Sequence, residues 1–156
     1  METGKQLAKR IREVFLDGTW IANSNYTKAL SGLSMEEACR KVEQLNSIAA
    51  LTFHVNYYLG GVLKFLNGGT LDISDSYSFD MSPITSEEDW NGLRLELKDN
   101  AEKFAEKVDR MSDTDLNQVF ADPKYGTIRR NIEGLIEHSY YHLGQISLLR
   151  KLIAAS

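Results

Sequence analysis

The chain predicts an all-α fold, a four-helix bundle forming one domain over residues 1–156, on three observations. Apolar residues recur at helical spacing through four segments. The only two prolines, Pro83 and Pro123, fall between those segments. No alternating run is long enough to anchor a sheet: TLDIS and YSFD could make short strands at most. With 156 residues, 42% of them hydrophobic and 26% charged, the chain can bury a core without covalent staples.

The first helix places Leu7, Ile11, Val14 and Phe15 on one stripe and Lys5, Lys9, Arg10 and Arg12 mostly outside it. Asp17-Gly18 breaks it, and Trp20-Ile21 is expected to continue the apolar surface. Ser34 with Glu37 has the spacing of a capping box and opens a short helix from Met35 to Val42. Asn46 or Ser47 caps the longer helix IAALTFHVNYYLGGVLKFL, which stops at Asn67-Gly68-Gly69. Thr85 with Glu88 marks the start of a third, carrying Trp90, Leu93, Leu97, Phe104 and Val108. Thr127 caps the last, which runs to about Ala154.

Between the second and third long helices, residues 67–84 exceed the ~12–15 residues at which structureless loops become uncommon. A crossover between non-adjacent helices is the leading expectation, and a lid over a site the second. Its aspartates, Asp72, Asp75 and Asp80, do not form an EF-hand, because the sixth position from Asp72 is Tyr77 and the twelfth is Pro83.

Composition excludes several classes. A net charge of −4 and a pI near 5.4 offer no basic face to nucleic acid. Cys39 is alone, so no internal disulfide forms, and it reads as a packing residue. The amphipathic N-terminus lacks an export signal and no run spans a membrane, so the expected compartment is the cytoplasm.

The chemistry concentrates in three histidines. On the last helix Ile128, Ile132, Leu135, Ser139, His142, Ile146, Leu149 and Ile153 form the core stripe. His142 lies on that seam and His138 one turn before it, so both rings project from one face. On the second long helix, His54 flanks the stripe Ile48, Leu51, Val55, Tyr58, Val62 and Phe65. A lone histidine so placed is more often a hydrogen-bonded packing residue. An i, i+4 pair is harder to explain that way, and three imidazoles from two helices suit a three-ligand metal site with open positions. The pair reads HSYYH, not HExxH, which removes the metalloprotease pattern, and Glu137 is rotated away from His138. Gln145, three residues after His142, is a candidate to orient water at the metal. Tyr57, Tyr58 and Tyr141 are candidates to line a pocket or donate a proton.

The segments DGTW, LNSIAALTFHVNYY and HSYYHLGQI resemble the DinB-like superfamily, which includes YfiT-like proteins first described as metal-dependent hydrolases. The resemblance covers nearly the whole chain. It implies an up-down-down-up four-helix bundle and a divalent metal held by His54, His138 and His142. It also implies a homodimer and a small-molecule substrate, with activities such as bacillithiol-dependent S-transfer or mycothiol-dependent maleylpyruvate isomerisation among relatives. The expected cofactor is one divalent ion, Zn, Ni, Fe or Mn, since imidazole donors suit several first-row metals without selecting among them. A low-molecular-weight thiol is a second candidate cofactor. The functional expectation is a metal-dependent S-transferase or hydrolase. The alternative is a non-catalytic metal-binding bundle or a stress-related interaction protein.

Overall fold

Side-chain caps set the starts of all four long helices in the computed structural model, which describes residues 1–156. Thr3 and Gln6 form a capping box at α1 (Gly4–Phe15). Ser47 accepts the Ala50 N–H at α4 (Ile48–Leu66), and Thr127 accepts the Arg130 N–H at α7 (Ile128–Ala154). Each such cap stabilises its helix by about 1 kcal/mol. The helix expected to start at Thr85 instead starts one residue later: Ser86 caps α5 (Glu87–Asp109) by accepting the Asp89 N–H. Thr85 then donates its N–H and hydroxyl to the Asp89 carboxylate at 2.9 and 3.0 Å. Three short helices complete the fold, α2 (Tyr26–Leu30), α3 (Met35–Cys39) and α6 (Asp113–Leu116). α3 stops short of Val42 because Arg40 is already extended and Glu43 takes a left-handed turn at φ 52°.

All eight residues of the expected α7 stripe are buried. The two tryptophans part company. Trp90 is fully buried, as its place on the α5 stripe predicts, and donates its indole N–H to the Leu33 carbonyl at 2.9 Å. Trp20 and Ile21 are 81% and 47% exposed and do not continue the core. The chain turns there through Ala22 and Asn23 at φ 53° and 51°. Neither TLDIS nor YSFD is a strand; Asp75–Tyr77 form a 3-10 turn, and pairing is limited to one isolated bridge, Val119 with Thr127.

Contacts at named residues give the helix directions. The start of α1 meets the end of α5, where Gly4 lies against the Val108 and Met111 carbonyls, while Phe15 lies near Leu97. α1 and α5 therefore run in opposite senses. α1 and α7 start together, tied by Arg129 donating to the Glu2 carbonyl. α4 and α7 oppose one another, with His54 beside His142 and Tyr58 beside His138. It follows that α4 and α5, which pack directly together, are parallel neighbours. The 67–84 connection is thus no crossover between non-adjacent helices. It returns along the bundle because parallel neighbours must be joined end to start. No helix is long and apolar enough to cross a membrane.

Candidate metal centre

α4 and α7 carry the three histidines to one point. The Nε2 atoms of His54 and of His142 each lie 3.1 Å from Nε2 of His138. One ligand atom from each ring falls within 4.8 Å of the others. Tetrahedral Zn–N bonds of about 2.05 Å would separate ligand nitrogens by about 3.3 Å, so the spacing fits a bound ion.

Proton positions make the fit chemical as well as geometric. His54 Nδ1 lies 3.2 Å from the Ser78 carbonyl, which can only accept, so Nδ1 carries the proton and Nε2 a lone pair. His142 Nδ1 donates in the same way to Oε1 of Gln145 at 2.7 Å. A proton on His138 Nε2 could serve one of these two neighbours. The other contact would then lack a hydrogen, whereas a cation satisfies all three nitrogens. Burial lowers the His138 pKa to about 4, with the neighbouring charges of His142 and His54 adding to it. Burial, then His142, also lowers that of His54. Both rings are neutral at neutral pH, the form that binds metal.

The long connection packs over α4 beside this cluster. Phe79 stacks on the His54 ring at 4.1 Å and 11°. Tyr57 both donates to the Ser74 carbonyl, at 3.2 Å, and accepts its N–H, at 2.9 Å. Tyr58 donates to the Asp75 carboxylate, and Lys64 pairs with Asp72. Gly61 permits the close approach, since a Cβ there would sit 2.1 Å from Cγ2 of Ile73. In place of a lid, the second expectation, the connection is a strap fastened along α4 whose Ser78 and Phe79 form one wall of the site. Beside His138 lies an open cleft of about 850 Å³, lined by Tyr58, Val62, Ile73, Asp75, Phe120 and Arg130 among others.

Among the other sequence candidates, Tyr58 lies at the cluster, edge-on to His54 at 5.1 Å and to His138 at 5.2 Å. Burial first, then the bond to Asp75, pushes its hydroxyl pKa up to about 12. Tyr141 packs edge-on against His142 at 5.0 Å but is 66% exposed and does not line the cleft. Gln145 holds Nδ1, on the far side of the His142 ring from Nε2. It orients the imidazole, not a water between the rings. Glu137 turns outward to pair with Arg130 at 3.3 Å, and no acidic side chain joins the three histidines. Cys39 is half-buried with its pKa raised by burial and by Glu87, which makes it an unreactive packing thiol. Sequence reasoning missed Ser78 and Phe79; the length of their connection was the one signal pointing to them.

A family model described as the DinB superfamily matches residues 21–146. No curated protein and no solved structure matches the chain.

Proposed function

Because this chain belongs to the DinB superfamily, we propose that His54, His138 and His142 hold one divalent metal ion and that the protein is a metal-dependent enzyme of the thiol S-transferase or hydrolase type. The observation that carries it is the convergence of three Nε2 atoms, two of them with their Nδ1 protons already committed to Ser78 and Gln145. A divalent ion there would lower the pKa of a thiol or water reaching it, the chemistry both reaction types need.

The chain's own residues do the rest. Ser78 and Gln145 hold His54 and His142 in one tautomer, and Phe79 keeps water off one face of His54. Tyr58 stays protonated at neutral pH and gives its one proton to Asp75, which leaves its oxygen as an acceptor beside His138. The cleft at His138 admits a small molecule. That open side favours an enzyme over a metal clamp, since structural sites are normally closed by four ligands. The ion is Zn, Ni, Fe or Mn, a low-molecular-weight thiol is the co-substrate of the S-transferase form, and the active unit is a homodimer of this single domain.

Elemental analysis of protein purified without an affinity tag tests the metal assignment. About one equivalent is expected in the parent and almost none in His142→Ala, with the helical spectrum unchanged in both. Stoichiometric metal retained in the folded variant would overturn the ligand set.

A further inference from the structure

We propose that the cleft beside the three histidines selects a small molecule bearing a carboxylate, which the Arg130 guanidinium reads. The reacting end of that molecule rests on the metal-enzyme reading above; the carboxylate end does not.

Arg130, Gly134 and His138 follow one another at i, i+4 and i+8 on α7, and all three line the cleft. Gly134 lies well inside a 27-residue helix, where glycine costs about 1 kcal/mol relative to alanine. No neighbour requires it, because a Cβ there would meet no atom within 4 Å. What the missing side chain leaves is a bare floor between Arg130 and His138. Val62, Ile73, Leu135 and Phe120 supply apolar walls for the body of a ligand.

The two adjacent arginines show which one is free to bind. Arg129 is buried and committed to the Glu2 carbonyl, Asn117 and Asp113. Arg130 has one side-chain partner, Glu137 at 3.3 Å, with the two side chains 61% and 59% exposed. Such exposed pairs contribute little and are readily displaced. The guanidinium fork keeps further N–H donors, arranged to take a carboxylate by two parallel bonds. Asp75 lines the same cleft near Tyr58 and His138 and repels an anion from that end, so the two charges orient the ligand carboxylate toward Arg130. Eight residues of helix separate the Arg130 and His138 backbones by about 12 Å. The Arg130 side chain leans toward Glu137 and shortens the gap, so a short acid spans it.

The probes are ω-mercapto carboxylic acids of about three to eight carbons, each against the mercapto-alcohol of equal length, titrated calorimetrically into metal-loaded protein. Acids should bind about tenfold or more tightly than the matched alcohols, with a length optimum. Arg130→Gln should abolish that preference at unchanged metal content, and Glu137→Gln should enlarge it. No preference in the parent, or a preference that survives in Arg130→Gln, would overturn the proposal. Hexanoate against hexanol on metal-free protein separates the two readings. Arg130-dependent acid binding without metal uptake would retain the carboxylate subsite and sink the metal enzyme.

Discussion

The two sides of the histidine cluster are built differently. On one side His54 and His142 each have a hydrogen-bonded Nδ1, and Phe79 stacks on His54 under a strap fastened by Tyr57, Tyr58 and Lys64. On the other, His138 is only partly buried, its Nδ1 has no partner within the chain, and the floor beyond it is glycine. Two rings are thus held rigidly and the third faces the cleft with room to adjust. The metal enzyme proposed above would need both properties. Rigid donors spare the entropy of ordering the site, while the open side supplies access.

The largest effect should come from removing an anchor on the rigid side. Gln145→Leu leaves all three histidines but frees the His142 tautomer, and metal affinity should fall about 10–100-fold in a chelator competition. An unchanged affinity would mean that packing, not Gln145, orients the ring.

Next come the two glycines, which should respond with opposite signs. Gly61→Ala drives a methyl into Ile73 and should cost about 1–3 kcal/mol in denaturant unfolding. Gly134→Ala meets open space and should stabilise α7 by up to about 1 kcal/mol while narrowing the cleft. Equal effects at both positions would break the contrast between strap and floor.

The last effect, absent at neutral pH, is the acid dependence of the metal-free protein. The folded-state pKa values of His138, about 4, and of His54 lie below the ordinary histidine value, so between about pH 6.5 and 4 the unfolded chain binds more protons than the folded one. Stability should therefore be level with respect to these groups above about pH 7 and decline as pH falls through that window. His138→Gln should flatten part of the slope in thermal melts taken from pH 7 to 4, and an unaltered slope would remove His138 as its source.

Much of this was legible from spacing. The α7 stripe is buried as its periodicity requires, and the i, i+4 relation alone puts His138 and His142 on one face. Where expectation failed, the deciding contact came from far along the chain. Trp20, expected to continue the apolar surface, lies exposed on a turn, whereas Trp90, on the stripe its spacing predicts, also gains a bond to the Leu33 carbonyl, 57 residues earlier. Tyr26, from a helix too short to announce itself, donates to the Ser139 carbonyl at 2.7 Å between the two histidines of α7. TLDIS and YSFD resemble strand material, yet Leu71 and Ile73 pack against the helical core and Phe79 stacks on His54, with no strand partner for either run.

The sequence by itself determined the all-helical class, the ends of the long helices to within a residue or two, and the faces that carry the histidines. Those properties follow from 3.6-residue periodicity and capping chemistry, which act over a single turn. Tertiary structure alone decided which ring nitrogens converge, that Gln145 holds a ring, and that the long connection walls one side of the site and leaves the other open. These depend on hydrogen bonds and packing between residues far apart in the chain, and no local spacing encodes them.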